Sequence, residues 1–244
     1  KTGIMKKILL CMAIALSLPT LCMAKKTLVL MGDASMAQHS IANPDVRGWG
    51  EELEKCFTKN VEVRNFAQAG ESARTLINKR LDKIIEQCAS GDYVILQVGQ
   101  NDLREEYGTM YSSTADLVDQ LSAVVEKLKD NKMKVILCTP IAHPFYVDDK
   151  VVNRYGGYVD VIRRVAQLKK VDLIDLYQLT EDWLNNMGKD NAQLFYKQVS
   201  NNTTPREYLL TETGAVEISR MVAKEIVAQK IPYLSKQMLH TNVH

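Results

Sequence analysis

Few features of this 244-residue sequence point toward nucleic acid, a membrane or a metal. Its 31 basic and 29 acidic residues leave a formal net charge of only +2, so the chain lacks the basic footprint that nucleic acid or an anionic membrane surface selects. Histidine is scarce, with four in the chain, and the five cysteines include no CxxC pair. Neither a metal site nor a bound cofactor is therefore expected. No composition break, repeat or linker divides the body of the chain, which argues for one domain. The apolar run from Ile8 to Leu18 falls short of the ~20 residues a membrane-spanning helix requires.

That run has a different reading. Met5-Lys6-Lys7 precedes it, and Pro19 and the small-residue ending Cys22-Met23-Ala24 follow, the order of parts in a secretory signal peptide. The expectation is cleavage after Ala24, with Lys1 to Ile4 as an upstream extension, and a secreted or periplasmic product without a membrane span. Cleavage would leave Cys56, Cys88 and Cys138, enough for one intramolecular disulfide at most. Cys138 ends the apolar run Val135-Ile136-Leu137 and reads as a core thiol. Spacing does not decide whether Cys56 and Cys88 pair.

Short apolar runs then alternate with longer amphipathic segments, the signature of βα units around a mostly parallel sheet. Strands are expected at Thr27 to Met31, Val61 to Phe66, Tyr93 to Val98, Lys134 to Thr139 and Val171 to Leu176, each rich in Val, Ile and Leu as doubly covered strands are. Helical spacing recurs in Leu76 to Ile85, Leu117 to Leu128, Val159 to Ala166 and Val216 to Val227. The prediction is a three-layer α/β/α sandwich with a five-stranded sheet over residues 25–230, and a polar, unassigned tail over 231–244. Ligands of such sheets bind outside the strand carboxyl ends, so the loops there carry the functional information.

The first expected strand ends in Met31-Gly32-Asp33-Ala34-Ser35-Met36, the second in Asn65-Phe66-Ala67-Gln68-Ala69-Gly70-Glu71-Ser72, and the third in Val98-Gly99-Gln100-Asn101-Asp102. In this order they resemble the first three sequence blocks of the SGNH (GDSL-type) hydrolases, whose fold is flavodoxin-like. Arg47-Gly48-Trp49-Gly50-Glu51, Thr139-Pro140 and Leu210-Thr211-Glu212-Thr213-Gly214-Ala215 are similar to marks of the rhamnogalacturonan acetylesterase branch. The resemblance implies carbohydrate, of the pectic or acetylated polysaccharide class, as the partner. It also implies an oxyanion hole from the backbone N–H groups of Ala34 and Gly70 and the amide of Asn101, and contacts to substrate from Asp33, Ser35 and position 206. On residue type alone, Gly70 could equally serve a tight turn and Asn101 a loop cap.

The catalytic triad that the resemblance implies is missing. The family's nucleophilic Ser falls on Ala34, its base on Leu209 and its acid on Arg206. Removing one triad member already abolishes most turnover, and further losses add little. Three function classes follow: a carbohydrate-binding pseudoenzyme; an esterase using Ser35 as nucleophile with His39 or His143 as base; and a structural partner. A His143 beside Pro144 reads by default as a solvated loop residue. Arg206 reads either as a solvated loop side chain or as a grip for a carboxylate on an acidic sugar chain.

Overall fold

The computed structural model describes residues 25–201 and 204–239, without the side chains of Tyr107 and of 200–207. The export segment expected at 1–24 lies outside the described residues. In chain order the strands are β1 (Lys26–Gly32), β2 (Val61–Asn65), β3 (Tyr93–Gln97), β4 (Lys134–Cys138), β5 (Tyr146–Val147), β6 (Lys150–Val151), β7 (Asp172–Ile174), β8 (Tyr196–Asn201) and β9 (Thr204–Leu210). The α-helices are α1 (Trp49–Leu53), α2 (Ala73–Thr75), α3 (Leu81–Ile85), α4 (Thr114–Asp130), α5 (Tyr158–Lys169), α6 (Leu176–Met187), α7 (Lys189–Ala192) and α8 (Glu212–Ala228), with a π turn at Leu76–Arg80 joining α2 to α3.

Five strands form one parallel sheet in the order β2-β1-β3-β4-β7. The expected α/β sandwich is therefore what the chain folds into. The order reverses at β1, so the loops leaving β1 and β3 diverge and open a crevice at the switch point. Gly32 stands opposite Gln97 at that carboxyl edge.

Alternation along the strands divides the core in two. Leu28, Leu30, Tyr93, Ile95 and Ile136 pack on the face shared with Trp49 of α1 and with Ile218, Val222 and Ile226 of α8. Val29, Met31, Val94, Leu96, Val135 and Leu137 pack on the other, against the helical stripe Leu117, Leu121, Val124, Val125 and Leu128 of α4. Local signals set the helix starts. Ser113 Oγ accepts the Asp116 N–H at the start of α4, and Thr211 Oγ1 accepts the Gly214 N–H at the start of α8.

Several expectations need amending. The fifth sheet strand stops at Ile174, because Asp175 caps α6 and Leu176 is already its first helical residue. Residues 231–239, unassigned from sequence, pack on the domain: Ile231 and Leu234 are buried, and Leu239 N–H donates to the Cys56 carbonyl at 2.8 Å. The segment between α7 and α8 forms the antiparallel hairpin β8–β9, which was not expected. Cys56 and Cys88 pack on opposite faces of the sheet, and Cys56, Cys88 and Cys138 are all free thiols.

Candidate functional site

The turn after β1 is held from within and from below. Asp33 is fully buried, and its Oδ1 accepts both the backbone N–H and the hydroxyl of Ser35, at 2.9 and 2.8 Å. Gln97, at the end of β3, donates its amide to Ser35 Oγ and accepts from Trp49 Nε1 at 3.0 Å. Trp49 in turn donates its backbone N–H to the Ser35 carbonyl at 2.9 Å. The Gly48-Trp49-Gly50 motif is thus a brace beneath the turn. A Cβ on Gly48 would lie 2.0 Å from the Ala37 carbonyl oxygen, so only glycine permits this approach. Glu51 completes the brace by accepting the backbone N–H groups of His39 and Gly48 at 2.8 and 3.0 Å. Those bonds hold its carboxyl below the usual range although burial pushes the other way.

The second and third loops lock onto the first and onto each other. Gln68 N–H donates to the Gly32 carbonyl at 3.0 Å. Asn101 Nδ2 donates to the Glu71 carbonyl at 2.8 Å, and the carboxyl of Asp102 accepts the N–H groups of Ala73 and Gly99, each at 2.9 Å. Burial raises the Asp102 pKa to about 7, outweighing those amide bonds, with the nearby Asp33 adding to the rise. Gly70 has φ +80°, a conformation that L side chains rarely adopt. No acceptor is found among the described residues for the backbone N–H of Ala34 or of Gly70. One hydrogen of the Asn101 amide serves Glu71, which leaves the second.

The sequence-predicted alternatives to the triad come apart here. Ser35 is 4% exposed, and its hydroxyl is bonded to Asp33 and Gln97 rather than to any imidazole. His39 Nε2 lies 2.6 Å from the Ala34 carbonyl oxygen. A carbonyl only accepts, so this nitrogen carries the proton and is not free to act as a base. Leu209 lies in β9, paired with Lys197. It projects to the opposite face of the hairpin from Tyr208, whose ring packs edge-on against Phe145 at 5.1 Å between centroids. The side chain of Arg206 lies outside the described residues.

His143 is not the solvated loop residue that its sequence setting suggests. Its ring sits among those of Phe145, Tyr155, Tyr196 and Tyr208, each centroid 6.3 Å away, and its Nε2 is buried with no hydrogen-bond partner among the described residues. Burial, with Arg104 and Arg154 adding positive field, lowers its pKa to about 4. The imidazole is therefore neutral at neutral pH and a weak base. It lines a cavity of about 170 Å³ together with Gln100, Arg104, Phe145, Arg154 and Tyr155. Among the described residues, no group of three or more His, Cys, Asp or Glu side chains could hold a metal ion.

The three interlocked loops at successive strand ends are matched by a family profile. The sequence pattern of the GDSL-like lipase/acylhydrolase family covers residues 31–198. The chain belongs to this family. It is 24% identical over 212 residues to the rhamnogalacturonan acetylesterase RhgT of Bacillus subtilis, a match spanning 83% of this chain and 90% of that protein. It is 27% identical over 195 residues to a rhamnogalacturonan acetylesterase of Emericella nidulans, spanning 70% of this chain and 75% of the relative. The solved structure of YxiM from Bacillus subtilis superposes with a TM-score of 0.73 at 26% identity, covering 85% of this chain. This chain spans 58% of that structure's length. Within the family frame, the front of the site comes from the loops after β1, β2 and β3. The cavity beside it draws on Arg104, Phe145 and Arg154, which sequence reading did not single out. They come from separate loops, and no motif or periodicity joins them.

Proposed function

We propose that this chain is an exported carbohydrate-binding member of the acylhydrolase family that does not hydrolyse esters by the family's triad mechanism. One observation carries the reading: the only hydroxyl in the turn from Asp33 to Met36 is Ser35 Oγ, and it is buried and bonded to Asp33 and Gln97, with no imidazole at it among the described residues. A serine acts as a nucleophile when an adjacent base takes its proton and the oxygen faces the substrate. Ser35 has neither condition. Position 34, where the family places that serine, presents a methyl group, and positions 206 and 209 hold Arg and Leu.

The half of the site that would hold an acyl oxygen is in better order. The unpaired N–H groups of Ala34 and Gly70 and the second amide hydrogen of Asn101 suit an oxyanion hole. They equally suit the neutral carbonyl of a bound ester. The rhamnogalacturonan acetylesterase names of two relatives support acetylated polysaccharide as the ligand class. Affinity electrophoresis through gels cast with acetylated pectic polysaccharide, with acetate release measured in parallel, tests both halves. Retarded migration without acetate release is expected. Saturable acetate release, or migration unaffected by any polysaccharide, would overturn the reading.

A further inference from the structure

The loop that carries Gly70 is closed by a buried ion pair whose cation comes from outside the loop. Glu71 is fully buried, and among the described residues Arg80 is the one cation that forms a salt bridge with it. The guanidinium makes two contacts: Nη1 donates to the Glu71 carboxylate, and Nη2 donates to the Phe66 carbonyl at 2.8 Å. Phe66 follows the last residue of β2 and Glu71 follows Gly70, so one side chain ties the start of the loop to its end. The other carboxylate oxygen of Glu71, Oε1, accepts the Thr75 hydroxyl at 2.5 Å. Its backbone is engaged as well, the N–H donating to the Gln68 carbonyl at 3.2 Å and the carbonyl accepting Asn101 Nδ2 at 2.8 Å.

Arg80 reaches the loop because of the π turn. That turn, Leu76–Arg80, takes one residue more than an α turn, and Arg80 ends it with φ −127° and ψ −31°, off the helical values. Side chains of a helix tilt toward its N-terminus, and that of Arg80 points back to Phe66 and Glu71. On an unbroken α-helix running from Ala73, the side chain at position 80 would be rotated by roughly 100°, one residue's turn, away from both partners. A buried ion pair is seldom worth more to stability than apolar packing of the same volume, and its best-attested use is to fix one register.

We propose that Glu71 and Arg80 are positioning residues for the carbonyl-binding corner, holding the Gly70 N–H and the Asn101 amide at the spacing an ester carbonyl requires. Neither side chain touches ligand. Glu71 acts on both donors at once, because it adjoins Gly70 in the chain and its carbonyl fixes the orientation of the Asn101 amide. An acyl oxygen is a small target, and a hydrogen bond to it weakens steeply once alignment is lost. Loosening the clamp therefore costs the contact to the acetyl group rather than the contacts to the sugar chain. This inference rests on the reading of the chain as a binder of acetylated carbohydrate, and adds to it the pair that sets the preference for the acetylated form.

Titration calorimetry of the intact protein with an acetylated pectic oligosaccharide, and with the same oligosaccharide after alkaline deacetylation, gives the acetyl preference as a ratio of affinities. Wild type is expected to prefer the acetylated form about tenfold, the worth of one or two aligned hydrogen bonds. Glu71→Gln keeps the shape of the side chain and drops its charge. Arg80→Lys keeps the charge, but as a single point that does not serve both partners. Each near-isosteric variant should cut the preference to about twofold. A proton–nitrogen correlation spectrum adds a second readout: the Gly70 amide and the Asn101 side-chain amide should shift in both variants, while the amides of α4 and α8 stay in place. Variants that weaken both ligands alike and keep the wild-type ratio, or that leave the two site signals unmoved, would overturn the positioning role while leaving carbohydrate binding standing. Absence of any acetyl preference in wild type would remove the carbonyl-binding corner and this inference together.

Discussion

The loops after β1, β2 and β3 and the hairpin β8–β9 occupy the same end of the fold and are held in place in different ways. In the first region the polar residues are tied within and between the loops: Asp33 to Ser35, Gln97 to Trp49, Asn101 to Glu71, Asp102 to Ala73 and Gly99. A change at any of these leaves a buried polar group unpaired, which costs about 1–3 kcal/mol. In the hairpin, Tyr208 and Leu209 are only half-buried, and the proposed reading places the family's base and acid at positions that hold Leu209 and Arg206. The loops after β1, β2 and β3 are thus structural supports of the sheet edge.

That contrast predicts graded consequences. Trp49→Ala removes a fully buried indole and its bond to Gln97, and should cost about 3–5 kcal/mol in denaturant unfolding. An unchanged midpoint would mean that the brace beneath the β1 turn carries no weight. Ser35→Ala is expected to cost about 1–2 kcal/mol through its buried hydrogen bonds and to leave polysaccharide binding intact. Loss of binding with unchanged stability would make Ser35 a ligand contact instead. Leu209→His lies at the small end, within about 1 kcal/mol of wild type for a half-buried strand position, and should create no turnover by itself or with Ala34→Ser.

Two buried groups, Asp102 in the front loops and His143 in the loop after β4, should also respond to pH with opposite sign. Asp102 has its folded pKa raised to about 7 from 3.8. The stability it gives is fully present below pH 3.8 and is lost as pH rises through 7, because the buried group must then ionise. His143 has its folded pKa lowered to about 4 from 6.5. Its contribution is present above pH 6.5 and is lost as pH falls toward 4, because the unfolded chain binds the proton more readily. Urea unfolding from pH 4 to 8 should therefore show a steeper alkaline decline in wild type than in Asp102→Asn, and a shallower acid decline in His143→Phe. Identical profiles in wild type and both variants would contradict the buried environments of these groups.

Much of this was legible in the sequence, for physical reasons that also mark where legibility stopped. The sheet strands are Val, Ile and Leu runs buried on both faces, and α4 and α8 repeat their apolar residues at helical spacing. α6 was masked because Leu173-Ile174-Asp175-Leu176 continues an apolar strand pattern through a residue that is in fact a helix cap. The hairpin β8–β9 was missed because Lys197, Gln198, Ser200 and Asn201 give its first strand little hydrophobic alternation. The three front loops could be found because each is a contiguous stretch at a strand end. The cavity could not, since Arg104, His143 and Arg154 meet only through tertiary packing. His143 beside Pro144 carries no sequence mark of its aromatic surroundings.

The proposed absence of triad catalysis is tested most directly by asking whether the protein contains any activated serine. Incubation with a fluorophosphonate probe followed by intact-mass analysis reads this without assuming a substrate. Wild type and Ala34→Ser are both expected to remain unlabelled, since among the described residues no imidazole bonds to Ser35 Oγ and the His39 Nε2 proton is held by the Ala34 carbonyl. A single adduct on wild type, mapped to Ser35 and abolished in Ser35→Ala, would contradict the proposed loss of catalysis and establish this chain as an esterase with a relocated nucleophile.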